Sequence, residues 1–161
     1  MNKVVQAALA GAMMLLAQSS SPALAKPIII SHDDGGVVVE YIQKYANLRD
    51  HGGRVVVDGP CLSACTLVLG ILPEQNVCAT SNAAFGFHSA TEYWTNPENN
   101  KTYHQYSPEM SRVMFDMYPG RVRKVVASLG WDGREPHPEI ILVSGKKLSS
   151  IVRRCGLADF L

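Results

Sequence analysis

The stretch between residues 54 and 70 does most to limit what this chain can become. Arg54-Val55-Val56-Val57 is a β-branched run suited to a buried strand, whereas Ala64 to Leu69 is small and aliphatic, with neither Gly nor Pro inside. Between them, Gly59-Pro60-Cys61-Leu62-Ser63 must turn extended backbone into helix, and Ser63 stands at the corner. The first N–H groups of a helix lack acceptors within it and carry the positive end of its dipole. A hydroxyl at that point faces donors able to bind an oxyanion. Serine is also a common helix cap, so the residue type alone leaves both readings open.

Residues 1–25 are expected to be an export signal rather than part of the fold. Met1-Asn2-Lys3 supplies a positive start, Val4 to Ala17 is apolar, and Ser21-Pro22-Ala23-Leu24-Ala25 ends in an A-x-A cleavage pattern. The apolar stretch is shorter than the roughly 20 residues a spanning helix needs, so no stable membrane anchor is expected after cleavage near Ala25. The mature part, residues 26–161, is long enough for a single α/β domain with one core and hardly for two. Its expected location is periplasmic or secreted.

Charge narrows the partners. The chain has 15 Lys and Arg against 14 Asp and Glu, and removing Lys3 leaves 14 of each. No nucleic-acid partner is expected from such a balance, and the short basic groups Arg121-Val122-Arg123-Lys124 and Arg153-Arg154 read as solvated helix faces.

All four cysteines, Cys61, Cys65, Cys78 and Cys155, lie in the exported part, where an oxidising compartment permits disulfides. Sequence leaves three pairings open. Placing Cys61 and Cys78 each beside a strand favours Cys61 with Cys78 and Cys65 with Cys155, bridges that would hold the Ser63 corner from both sides. No C-x-x-C or close Cys/His pair suggests a metal, and no cofactor is expected.

In chain order, Pro27 to Ser31 reads as a short buried strand that ends at His32-Asp33-Asp34 and the glycine pair Gly35-Gly36. From Val37 to Asp50 apolar residues recur at three and four, an amphipathic helix stopped by His51-Gly52-Gly53. With the strand at Val55 this makes a βαβ unit and implies parallel pairing. Asn76-Val77-Cys78-Ala79 and Ala83 to His88 are further strands, and His88 stands at the end of the second. That places Gly35, Gly36, Ser63 and His88 at one edge of the sheet, where open α/β folds gather binding groups. Residues 89–107 are polar and aromatic and predict a long loop or hairpin over that edge. Ser107-Pro108-Glu109 opens a helix through Met117, Arg121 to Leu129 forms another, and Ile140 to Val143 is the last strand.

Three features coincide: a glycine pair after a strand, a serine at a strand-to-helix corner, and a histidine at a strand end 25 positions later. Together they resemble the Clp protease proteolytic subunit family of the Clp/crotonase-like superfamily. The likeness is nearest to exported single-domain members with a C-x-S-A-C-T segment, here Cys61-Leu62-Ser63-Ala64-Cys65-Thr66, and extends from about Ile28 to Leu157. It implies a ββα spiral with a mainly parallel sheet flanked by helices. It also implies a serine hydrolase acting on peptides or proteins through an acyl-enzyme, with Ser63 as nucleophile, His88 as general base, and the Gly36 and Ala64 amides binding the oxyanion.

The third member of the family's triad is not matched. A gapless reading puts its aspartate at about Ile140; Glu139 is adjacent, and Asp132 or Glu135 could reach in from the preceding loop. The site is then a Ser63–His88 dyad, a triad completed by Glu139 with Asp132 as the alternative, or silent. An exported chain also lies beyond ATP, so unfoldase-fed proteolysis does not transfer and any activity is expected to be ATP-independent. A homo-oligomer remains open. The rival reading keeps the fold as a catalytically inactive binding or assembly module, with Ser63 as a cap and residues 89–107 as the recognition surface.

Overall fold

The β-branched Val55-Val56-Val57 is buried on both faces, as the strand reading requires, and it becomes the inner strand on which the first sheet is built. A computed structural model of the chain describes residues 26–161; the expected export segment, residues 1–25, lies outside the described residues. Four strands pair in parallel, in the order β1 (Ile28–Ile30), β2 (Val55–Val57), β4 (Val77–Ala79) and β9 (Arg153–Arg154). Helix α1 (Val38–Asp50) crosses from β1 to β2, and Tyr41, Ile42 and Tyr45 on one of its faces pack toward the core.

A second sheet was not visible as such in the sequence. After β2 the chain passes Gly59 and enters β3 (Pro60–Leu62), which pairs in parallel with β5 (Ala84–Phe87); β5 in turn pairs antiparallel with β8 (Ile141–Ser144). Gly59 is needed at this crossing, because a Cβ there would lie 1.9 Å from the Ser31 carbonyl oxygen. Successive passes of the chain therefore add one strand to each sheet, β2 then β3, β4 then β5. The architecture is mixed α/β with a parallel sheet.

The polar stretch after His88 is a hairpin of β6 (Thr91–Asn96) and β7 (Lys101–Tyr106), in register Tyr93 with His104 and Trp94 with Tyr103. Neighbouring pairs on a hairpin face opposite ways. Helix α3 (Pro108–Met117) follows, as the Ser-Pro-Glu start predicts, and α4 (Gly120–Ser128) lies one residue ahead of the helix expected at Arg121 to Leu129. The segment after β8 is a 3-10 turn (Gly145–Ser150) that delivers β9 to the edge of the first sheet. One core of Val, Leu, Ile and aromatic side chains runs between the sheets and under α3 and α4, with Trp131, Tyr45, Tyr118 and Phe85 among its largest members.

The cysteine pairing differs from the expectation. The bridges are Cys61–Cys65 and Cys78–Cys155, not Cys61–Cys78 and Cys65–Cys155. Cys61 lies on β3 and Cys78 on β4, strands of different sheets, so their proximity to strands does not bring them together. Instead the tight turn at Ser63 brings Cys65 back to a Cα separation of 5.3 Å from Cys61, and β9 carries Cys155 alongside β4. No helix among the described residues is long and apolar enough to cross a membrane.

Candidate active site

Three segments end side by side. Asp33 forms an isolated parallel bridge with Cys61 on β3, and β3 pairs with β5 in the register Cys61 with Phe85 and Leu62 with Gly86. Gly35 and Gly36 thus follow the first segment, Ser63 the second and His88 the third, all at carboxyl ends of parallel neighbours. Ser63, His88 and Gly36 line one cavity of about 610 Å³.

Ser63 is not a helix cap. The N-cap position of the 3-10 turn Ser63–Leu67 is Leu62, and the Ser63 hydroxyl makes no hydrogen bond among the described residues. Its backbone is left-handed, φ +54°, a conformation that costs an L-residue about 1–2 kcal/mol and is uncommon outside glycine. The turn that follows is shorter and tighter than the sequence suggests: five residues of 3-10 helix lead into the four-residue α2 (Val68–Ile71). Thr66 holds it by donating its hydroxyl to the Ser63 carbonyl at 2.6 Å. That uses the only Thr66 proton, so Tyr118 must donate in the 2.6 Å bond between their hydroxyls. Burial pushes the Tyr118 hydroxyl pKa up, which keeps this donor protonated. The Cys61–Cys65 bridge spans the corner, and the Tyr45 hydroxyl donates to the Cys65 carbonyl at 3.1 Å.

Gly35 completes the corner from the other side. It has φ +85°, and a Cβ there would lie 2.6 Å from the Leu62 carbonyl oxygen, 2.7 Å from the Ser63 Cβ and 2.9 Å from the Ala64 nitrogen. The Gly36 amide meets no backbone or side-chain acceptor among the described residues. The Ala64 amide lies in the first turn of its 3-10 helix, where no intrahelical acceptor exists.

His88 follows β5 directly. Its Nδ1 lies 2.8 Å from the Ser89 carbonyl; a carbonyl only accepts, so Nδ1 carries the proton and Nε2 has the lone pair in the neutral ring. Ser89 is itself fixed by two bonds to His137, its N–H donating to the His137 carbonyl at 2.9 Å and its hydroxyl accepting the His137 N–H at 3.1 Å. No hydrogen bond joins Ser63 to His88, and none joins His88 to a carboxylate among the described residues. Glu139 does not line the cavity; its backbone carbonyl accepts from His137 Nδ1 at 2.8 Å. Asp132 accepts the Arg134 N–H and borders a different groove, beside Phe115 and Arg123.

The remaining wall comes in part from residues 89–107, which the sequence places over this edge, and in part from residues of α1 and α3 that it does not single out. Val38 and Val39 of α1, Ala90, and Met110 and Met114 of α3 supply apolar surface, while Tyr93 and His104 come from the hairpin. Asp34 and Glu92 add carboxylates, and among the described residues no lysine or arginine lines the cavity. The hairpin register could have marked Tyr93 and His104 as a pair on one face; nothing in the local pattern says which face turns inward.

The chain matches no known family model and no curated protein.

Proposed function

We propose that the protein is an exported, periplasmic or secreted, Clp-like serine hydrolase that cleaves peptides without ATP. The observation that carries this reading is the left-handed Ser63, uncapped, facing the cavity that His88 and Gly36 also line. Backbone strain at a polar residue persists where surroundings impose it, and such sites are concentrated at catalytic corners. The addition of one strand to each sheet per pass supports a ββα spiral of the Clp/crotonase-like kind.

In this mechanism Ser63 Oγ attacks the scissile carbonyl while His88 Nε2 takes its proton. The oxyanion is held by the Gly36 and Ala64 amides, each such donor being worth about 3 kcal/mol. Collapse breaks the C–N bond, His88 returns the proton to the leaving amine, and a water activated by the same nitrogen hydrolyses the acyl-enzyme. The serine–histidine hydrogen bond forms in the substrate complex, since catalytic hydrogen bonds are often long in unliganded sites and tighten only when substrate binds. An apolar wall with two carboxylates and, among the described residues, no lysine or arginine suits an apolar peptide segment without acidic neighbours.

Labelling by a fluorophosphonate tests the reading. Oxidised protein from residue 26 onward should be modified at Ser63, with Ser63→Ala unmodified and His88→Ala slowed at least 100-fold. Equal labelling of native protein and Ser63→Ala would overturn it. The lack of a hydrogen bond between Ser63 and His88 favours one alternative, a silent module that binds a peptide in the same cavity; peptide binding without labelling would select it.

A further inference from the structure

The loop that carries Gly36 is braced by a carboxylate for which the mechanism above has no use. Asp33 is bonded through its backbone on either side of Cys61, its N–H donating to the Pro60 carbonyl at 2.9 Å and its carbonyl accepting the Leu62 N–H at 2.8 Å. These bonds lay the loop against β3 up to the residue before Ser63. The side chain then ties the loop to two further points. Oδ1 accepts the Gly35 N–H at 2.9 Å and also the Tyr41 hydroxyl from the first turn of α1, and Oδ2 faces Lys44 Nζ at 3.6 Å.

A carboxylate so placed is no accident of the surface. The Asp33 side chain is 15% exposed, and a polar group largely withdrawn from water needs such hydrogen-bond partners. What the partners hold in place is Gly35, the residue before Gly36. Gly35 cannot rock, because its N–H is anchored on Asp33 and the place of its missing Cβ is filled by Leu62 and Ser63. The next residue, Gly36, lines the cavity, and its N–H has no acceptor among the described residues. An amide in an oxyanion site is useful only when its direction is set before the reaction.

We propose that Asp33 is a positioning residue that aims the Gly36 amide at the oxyanion, with Tyr41 fixing the orientation of its carboxylate. The inference rests on the hydrolase reading. If Asp33 merely anchored α1, its loss would lower stability and leave the chemistry of correctly folded molecules unchanged.

Three variants separate these roles: Asp33→Ala, Asp33→Asn, which keeps an acceptor for the Gly35 N–H, and Tyr41→Phe. Each is compared with native protein in fluorophosphonate labelling rate, in kcat and KM on a chromogenic peptide ester, and in thermal midpoint. Asp33→Ala should lose about 30–100-fold in labelling rate and kcat with KM changed less than about twofold. Tyr41→Phe should lose about 3–10-fold, and Asp33→Asn should recover to within about fivefold of native. Labelling of folded Asp33→Ala at the native rate, or losses confined to KM or to the thermal midpoint, would overturn the inference alone. Should Asp33→Ala not fold, an unchanged kcat in both Tyr41→Phe and Asp33→Asn would overturn it equally. A native protein that neither labels nor hydrolyses the ester removes the hydrolase reading, and this inference falls with it.

Discussion

His88 donates its Nδ1–H to the carbonyl of Ser89, so the ring is held by the residue that follows it rather than by a carboxylate. Ser89 is in turn pinned to His137 through both its amide and its hydroxyl. The orienting role usually given to an acid can thus be filled by main chain, at the cost of the charge that would stabilise an imidazolium.

A dyad of this kind makes the acids dispensable. Glu139→Gln and Asp132→Asn should each keep kcat/KM for a peptide ester within about threefold of native, whereas His88→Ala should lose about 10²–10⁴-fold. A loss of 100-fold or more in Glu139→Gln would show that its carboxylate reaches His88 during turnover.

Gly35→Ala should be among the most damaging single substitutions. It combines an αL backbone with overlap against the Leu62 carbonyl and the Ser63 Cβ, neither of which can move without shifting the corner. A loss of about 3 kcal/mol in urea unfolding is expected, together with loss of Ser63 labelling. Gly52→Ala offers the control. It shares a positive φ, +67°, but a Cβ there meets nothing within 4 Å, so only about 1 kcal/mol should be lost.

The two disulfides should separate in their effects. Cys78–Cys155 closes a loop of sequence separation 77, and the chain-entropy relation gives it about 4.5 kcal/mol; Cys61–Cys65, separation 4, gives about 2 kcal/mol. Replacing the first pair by Ser should therefore lower the urea midpoint more. Replacing the second by Ala should lower Ser63 labelling more, because that bridge spans the corner itself.

The C-terminal end should weaken in acid. Arg153 donates to both Asp159 oxygens, at 2.9 and 2.6 Å, and the Gly156 N–H adds a bond of 2.7 Å. The hydrogen bonds from Arg153 outweigh the opposing effect of burial and hold the Asp159 carboxyl at about 2. A carboxyl whose pKa is lower folded than unfolded stabilises the native state above its unfolded value, ordinarily 3.8, and that contribution fades as pH falls from there toward 2. Asp159→Asn should cost about 1 kcal/mol at pH 7, with the gap from native protein narrowing below pH 4 in urea titrations.

Much of the site was legible because it depends on local punctuation. Gly35-Gly36 after a strand, an aliphatic turn after Ser63, and His88 at a strand end follow from residue type and order, and parallel pairing brings them to one edge. The split of residues 54–62 into β2 and β3 was not legible, since a three-residue strand such as Pro60–Leu62 has no period to read. The cysteine pairing depended on that split and failed with it. Strand β9 was missed for a similar reason: two arginines become a strand only because β4 offers them an edge. The Asp33 brace was half visible, as an aspartate two residues before a glycine forms an Asx turn; its bond to Tyr41 needed the angle at which α1 leaves the loop.

The positive φ of Ser63 has an implication for heat tolerance. Glycine at that position would adopt the same backbone almost freely, so Ser63→Gly should melt later than native protein, by up to about 1 kcal/mol after the extra freedom of its unfolded chain is deducted. The residue found at the corner is then not the one that folds best there. Glycine there would leave a hardier protein with no hydroxyl to attack a carbonyl.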